Sequence, residues 1–307
     1  MAAAKAMLDE IHKDLPKKAN DHNAYTLGSI NGHNIVIACL PSGVYGTNSA
    51  AVVATQMLSS FQSIRIGLMV GIGGGVPKEG SDIRLGDIVV SKPTGSFGGV
   101  VQYDYGKTVE EGRFVRTGSL NKPPIALLTA VAKLEAEHMM APSKVSDYLS
   151  AMTARYPAMT PRFTYRGKDI DRLFNAKYDH AGSNATCENC DKTKLVDRPV
   201  RSQTDPAIHY GVISSGNQVI RHGLTRDRLG KEHGILTFET EAAGLMDTFP
   251  CLVIRGICDY ADSHKNKQWQ EYSAAVAAAY AKELLSVIPT DEIENTPTAI
   301  EATAEAG

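Results

Sequence analysis

The chain has 307 residues, 43% of them hydrophobic and 21% charged, enough for one large domain or two ordinary ones. Its 32 basic and 34 acidic side chains leave a net charge of -2, which excludes a global field that would draw nucleic acid or an anionic membrane; an anionic ligand has to meet a local patch. No apolar run approaches the ~20 residues of a bilayer span, and the N-terminal stretch carries lysines and acids where a secretory signal would carry an apolar core, so the expectation is a cytoplasmic protein for small-molecule chemistry, with no nucleic-acid and no membrane partner.

Along the chain, short apolar strands alternate with glycine-rich or polar connectors and helices. This is the pattern of an α/β domain with a central mixed, mainly parallel sheet flanked by helices. Strands are expected at 25–30 and 35–40, joined near Asn31-Gly32, which readily takes the positive φ values of a tight hairpin turn. The residues around Met1 to Leu8 read as a helix, and a helix over 47–60 leads to a strand at 64–70. The run Gly71-Ile72-Gly73-Gly74-Gly75 then reads as a loop before a strand at 87–91. Because no helix follows these glycines and no P-loop Lys-Ser/Thr is present, dinucleotide and NTPase sites are disfavoured; what remains is a backbone that a ligand can approach closely.

Helices are expected at 124–140 and 143–155. From about 141 to 205 the chain turns polar, with Arg162, Arg166, Lys168, Arg172, Arg198 and Arg201 among aspartates, and reads as a solvated, salt-bridged insertion at the edge of the fold. Strands at 209–214, 234–239 and 252–258 follow, with helices at 241–247 and 268–287. In the last helix Tyr272, Val276, Ala279, Tyr280 and Val287 recur at roughly helical spacing and should face the sheet. One domain over 1–288 is expected, and 289–307, acidic and poor in large apolar groups, reads as a disordered tail.

Five cysteines are present. Cys39, Cys251 and Cys258 lie in apolar runs and read as reduced core thiols. Cys187 and Cys190 form a C-x-x-C in a polar stretch between His180 and His209, either a zinc site or a pair of loop thiols. Without a second pair at zinc-finger spacing the thiol reading is preferred, and no metal and no cofactor are expected.

Two strands end in acids, in Phe238-Glu239-Thr240-Glu241-Ala242-Ala243-Gly244 and in Gly256-Ile257-Cys258-Asp259-Tyr260-Ala261-Asp262. The carboxyl ends of strands in a parallel α/β sheet form the ligand crevice, so these carboxylates could converge on one pocket, as sugar and base chemistry requires. The plainer alternative is that Glu241 and Asp262 cap helices.

With the Leu85-Gly86-Asp87-Ile88-Val89-Val90 run after the glycine segment, the Ser214-Ser215-Gly216-Asn217 turn and Arg255-Gly256-Ile257-Cys258-Asp259-Tyr260-Ala261-Asp262, the chain resembles the nucleoside phosphorylase and nucleosidase superfamily over about 25–287. The long insertion and the 256–267 run are most similar to nucleosidase-type domains of fungi, often found at the front of multidomain immune-receptor-like proteins. The resemblance implies a purine nucleosidase acting on adenosine or a related nucleoside or nucleotide, in a homo-oligomer. The alternatives are a phosphate-dependent phosphorylase and a non-catalytic nucleoside-sensing domain.

By the same resemblance, Glu241 accepts hydrogen bonds from the ribose hydroxyls and Thr240 stands beneath the sugar, with Glu239 beside them in the substrate-binding set. Asp259 binds the purine edge and helps protonate N7. Asn217, Gln218 and Val219 line the base, although relatives often place an aromatic ring where Val219 stands, and Gly73 and Gly74 lie beside the sugar or nucleophile. The chemistry agrees with the residue types: the sugar becomes oxocarbenium-like, a protonated purine leaves more readily than its anion, and a carboxylate stabilises the developing positive charge. Met69 and Ile72 replace the arginine and serine with which phosphorylases hold phosphate, which favours water as nucleophile. Arg201, Arg221 and Arg226 are the candidates for a 5′-phosphate. The family's first strand, with its acid, is expected to be missing, and activity is therefore expected to be weak.

Overall fold

A computed structural model describes residues 1–78, 80–182 and 186–306. Helix α1 (Ala2–Ala6) buries Ala3 and Ala6 against a long helix near the other end of the chain. Strands β1 (Glu10–Ile11), β2 (Tyr25–Ile30) and β3 (His33–Ala38) then form a small antiparallel sheet in that order. The β2–β3 turn is the expected one, with positive φ at Asn31 (47°) and Gly32 (82°).

Helix α2 (Thr47–Ser60) precedes β4 (Gly67–Gly75), which continues as strand through the glycines that were expected to form a loop. Next come β5 (Ile88–Ser91), β6 (Val100–Gln102) and a small hairpin of β7 (Gly106–Thr108) and β8 (Phe114–Arg116). The helices α3 (Ile125–Met140), α4 (Val145–Arg155) and α5 (Thr160–Phe163) separate these from β9 (Ile208–Ser215). After α6 (Gly223–His233) and β10 (Ile235–Glu239), β11 (Cys251–Asp259) leads to α7 (Gln270–Ser286).

The main sheet runs β10-β4-β11-β5-β9-β6, and β10 also pairs with β9, closing a five-stranded barrel with β6 attached to β9. Four pairings are parallel (β4–β11, β5–β9, β9–β10, β6–β9) and two antiparallel (β4–β10, β5–β11). The mixed, mainly parallel sheet flanked by helices is therefore present. Every residue of β11 is buried, as a central strand covered on both faces must be. Helix α7 packs on β11 and β4 with Tyr272, Val276, Ala279 and Tyr280 buried, each large side chain contributing ~1.5–3 kcal/mol of burial.

Four further expectations are corrected. Cys39, read as a core thiol, is exposed. The helix at 241–247 reduces to a 3-10 turn at Ala242–Gly244. The polar stretch is tied into the body: Arg198 pairs with Asp171 at 3.2 Å and donates to the Tyr260 hydroxyl at 2.9 Å, and Leu173 and Phe174 are buried. The expected disordered tail carries α8 (Thr290–Glu294) and α9 (Ala299–Ala306); only Gly307 of it lies outside the described residues. Thr298 and Glu301 form a reciprocal capping box, with Thr298 N–H donating to Glu301 Oε2 (2.8 Å) and Glu301 N–H to Thr298 Oγ1 (3.3 Å). Fully buried Ala299 donates its N–H to the Ile64 carbonyl at 2.7 Å. Among the described residues no helix is long and apolar enough to cross a membrane.

Candidate active site

The carboxyl ends of β10 and β11 open onto a cleft of about 350 Å³, a size suited to a small ligand. Its walls are the β4 segment Gly71 to Gly74, Gln218 to Ile220, Phe238 to Glu241, and Arg255, Asp259 and Lys265. Of the nine residues assigned from the sequence, Gly73, Gly74, Gln218, Val219, Glu239, Thr240, Glu241 and Asp259 line this cleft. Asn217 does not. Its Oδ1 accepts from the Thr47 N–H and hydroxyl, each at 3.0 Å, and its own N–H donates to Asp104 at 2.7 Å, so it caps the start of α2 from a distance.

At the floor, Arg255 Nη2 pairs with Glu239 Oε2 and lies 3.3 Å from Glu241 Oε2. Glu239 is also held by the N–H groups of Glu241 (3.0 Å) and Ala242 (3.0 Å), the chain turning back over its own carboxylate where β10 ends. The Thr240 hydroxyl donates to Glu241 Oε1. Burial pushes the Glu239 pKa above its ordinary value: the loss of water outweighs the guanidinium, and the charge of Glu241 adds to the rise. Glu239 is thus a buried anchor for Arg255, whereas Glu241 is more accessible, its side chain 14% exposed.

Across the cleft, buried Asp259 accepts the Ala261 N–H at 2.9 Å and pairs with Lys265 Nζ at 2.9 Å. Burial acts to lower the Lys265 pKa, but Asp259 overrides it and the ammonium is held charged. The adjoining Cys258 thiol is pushed well up by burial and by Asp259, and so is a poor nucleophile. Glycine is required in β4 by close approach. A Cβ on Gly71 would stand 2.0 Å from Arg255 Nη1, and one on Gly74 2.7 Å from Asp259 Oδ1. The glycines expected to receive a ligand thus first make room for the two charged groups of the site.

Arg255 and Lys265 were given no role by the sequence reading. A signal existed for the first, since an arginine inside the apolar run of β11 has to find a buried carboxylate; none existed for Lys265, whose place depends on the loop after β11. Two of the three candidate phosphate arginines are engaged elsewhere. Arg201 holds Asp87 through Nη1 (2.6 Å) and Nη2 (2.8 Å), and buried Arg226 donates to the Tyr260 carbonyl (2.9 Å) and pairs with Asp262 (3.4 Å). Arg221 is exposed and close enough to Lys265 to act on its charge. Met69 Sδ lies 3.5 Å from Arg255 Nη2 and Ile72 lines the cleft, so neither offers a hydrogen-bond donor to an anion.

A closed, mainly parallel barrel that gathers strand-end carboxylates over a glycine-lined cleft is the architecture of a small-molecule-binding α/β domain. The chain belongs to the phosphorylase superfamily, whose model matches residues 3–289. It is 50% identical over 289 residues, 94% of its length, to a nucleotide-binding leucine-rich repeat (NLR)-like protein of Hyaloscypha variabilis, of which it covers 28%. It is 23% identical over 251 residues to the ATP nucleosidase Cap17 of Escherichia coli, covering 78% of this chain and 39% of that protein. The chain thus spans well under half of these relatives. The fold is also that of the Helicobacter pylori 5′-methylthioadenosine/S-adenosylhomocysteine nucleosidase, with a TM-score of 0.56 at 16% identity over 92% of this chain and 91% of that one.

Proposed function

We propose that this chain hydrolyses the N-glycosidic bond of a purine nucleoside or nucleotide, releasing free base and sugar. The observation that carries the reading is the convergence of the Glu239–Arg255–Glu241 cluster and the Asp259–Lys265 pair on one cleft. In this reading Glu241 accepts the ribose hydroxyls and stabilises the cationic sugar, Thr240 orients Glu241, and Arg255, anchored by Glu239, fixes its position. Asp259 grips the purine edge and relays a proton to N7, so that the base leaves neutral. Gly73, Gly74, Gln218 and Val219 supply the walls. Water is the acceptor because Met69 and Ile72 offer an anion no donor, and both cations of the cleft, Arg255 and Lys265, are already paired with its carboxylates.

Membership in the phosphorylase superfamily and similarity to proteins named as nucleosidases support this reading. A nucleotide substrate is favoured by one observation, the exposed Arg221, one residue beyond the cleft-lining Ile220 and close enough to Lys265 to act on its charge, which would meet 5′-phosphates as the named substrate of Cap17 requires. The test is chromatography of adenosine, inosine, methylthioadenosine, AMP and ATP incubated with the protein, with and without phosphate. Free base and free sugar without phosphate are expected. Ribose 1-phosphate and strict phosphate dependence would make it a phosphorylase, and binding without base release would leave a sensing domain.

A further inference from the structure

The C-x-x-C pair left over by the proposed function sits at a designed-looking cluster. His180, Cys187 and Cys190 bring one imidazole nitrogen and two sulfurs within 4.8 Å of one another, although they belong to a polar stretch in which nothing else requires two buried thiols. Both cysteines are buried, on Phe174 and beside Tyr178. One nitrogen of His180, Nε2, is 3.2 Å from the Thr186 carbonyl, the kind of outer partner that fixes the tautomer and direction of a metal-bound imidazole.

A second, independent observation lies next to it. His264 is 6% exposed and neither of its ring nitrogens has a hydrogen-bond partner among the described residues, an unusual state for a buried polar group. Its ring stacks on Phe174 with centroids 4.0 Å apart, and lies 5.5 Å from the ring of His180, while the Cys187 thiol lies 3.6 Å from the His264 carbonyl. Asp262 Oδ1, 3.7 Å from His264 Nδ1, stands where the carboxylate of a carboxylate–histidine–zinc triad would stand.

We propose that His180, Cys187, Cys190 and His264 form a structural zinc site that pins the chain at His180 and at Cys187 and Cys190 to the loop following β11. Two thiolates and two neutral imidazoles are a closed tetrahedral donor set for zinc, and they neutralise the ion, which suits a buried position. Ligand atoms around zinc stand roughly 3.3–3.8 Å apart at the usual bond lengths, so His180, Cys187 and Cys190 draw together by about 1 Å at their widest, and the neighbouring His264 ring moves in to complete the set. On binding, zinc displaces both thiol protons to solvent. The pinned loop is the one that carries Lys265 to Asp259. It is already touched by the same segment, since the His180 N–H donates to Ser263 Oγ at 3.0 Å and the Ser263 hydroxyl to Asp179 at 3.0 Å.

The full chain purified from zinc-supplemented medium should hold one zinc per chain by plasma mass spectrometry. Cobalt should replace it with a thiolate-to-cobalt charge-transfer band and the strong visible absorption of tetrahedral cobalt. C187S and C190S should lose the metal and H264N should weaken its binding at least tenfold, whereas H22N, an exposed control, should keep it. In case the cysteine variants fail to fold, the unaltered chain supplies its own test: zinc should raise its Tm and protect both thiols from alkylation, and a chelator should reverse both effects. A chain that binds no zinc and whose Tm and thiol reactivity ignore it, or a Cys187–Cys190 disulfide in the native protein, overturns the site; unchanged zinc affinity and cobalt spectrum in H264N overturn the four-ligand assignment.

Discussion

Arg255→Met is the most informative perturbation, because it removes one partner of a pair whose side chains are 5% and 1% exposed. Removing one partner of a buried ion pair costs ~3–5 kcal/mol, most of it the penalty of the charge left behind. Glu239 would keep the N–H groups of Glu241 and Ala242, which puts the expected loss at the low end, about 3 kcal/mol. At roughly 2–4 °C per kcal/mol for a domain somewhat smaller than this one, Tm falls by about 6–12 °C. The double variant R255M/E239Q should recover about half or more of that loss, since the neutral amide still accepts both backbone N–H groups while no buried charge remains.

The pH dependence has a definite sign. The Glu239 pKa, already raised in the folded protein, rises further without its guanidinium, so the folded state of R255M binds a proton that the unfolded chain has released. Its deficit should be small near the ordinary carboxylate value of 4.5 and grow only as pH rises past the parent's own raised value toward the still higher value of the variant. Urea melts by circular dichroism from acid to neutral pH measure the stability loss, its recovery and its pH dependence, and thermal melts the fall in Tm. A single variant within about 1 kcal/mol of the parent at neutral pH, the size of an ordinary surface contact, would refute the buried-pair reasoning.

Asp259→Asn should stay folded, because the amide oxygen still accepts the Ala261 N–H and Lys265, 30% exposed, can turn to solvent, but it should release base ~100- to 10,000-fold more slowly, because an amide cannot relay the proton; unchanged turnover would remove it from the reaction. Glu241→Gln should raise KM and lower kcat for ribonucleosides while affecting 2′,3′-dideoxynucleosides much less; equal effects on both would assign it a structural role. Gly74→Ala places a Cβ 2.7 Å from Asp259 Oδ1 and should cost ~1–3 kcal/mol by overpacking together with most activity, readable in one melt and one assay. Asp87 has its pKa lowered: burial opposes ionisation, but His209 and Arg201 outweigh it. Its contribution is full above the ordinary value of 3.8 and is lost as pH falls through the depressed folded value. The deficit of R201M against the parent should therefore be largest at neutral pH and close in strong acid; a deficit that does not change with pH would mean Arg201 acts by packing alone.

Much of the fold is local in origin. Strand β2 and helix α2 begin and end where their apolar pattern and flanking turns place them, and the other expected strands and long helices are displaced by a few residues at most, apart from β4. What misled was composition read without partners. The glycines after Val70 suggest a loop, yet they extend β4 because Arg255, Thr237 and Asp259 occupy the space where Cβ atoms would go. The acidic tail lacks a core of its own, but its Thr298-Ala299-Ile300-Glu301 run carried a legible helix-start signal, and small Ala299 docks on the Ile64 carbonyl. The helix after Glu241 shrinks to a turn in which Glu239 draws the N–H groups of Glu241 and Ala242 onto its carboxylate.

The sequence alone determined the class of fold, through strand and helix periodicities, and most of the cleft, through acids at the ends of two apolar strands beside a glycine run. Those signals survive without a structure because each arises within a few neighbouring residues. Only the tertiary structure decided that β10 pairs with both β4 and β9 to close the barrel, that Asn217 caps α2 instead of facing the cleft, and that Arg255 and Lys265 pair with the acids of the cleft. It also decided that His180, Cys187 and Cys190 gather beside the ring of His264, far along the chain. Which charges end up sharing a water-poor space depends on loop closure and strand register, and these are set by the burial of the whole core rather than by any local pattern.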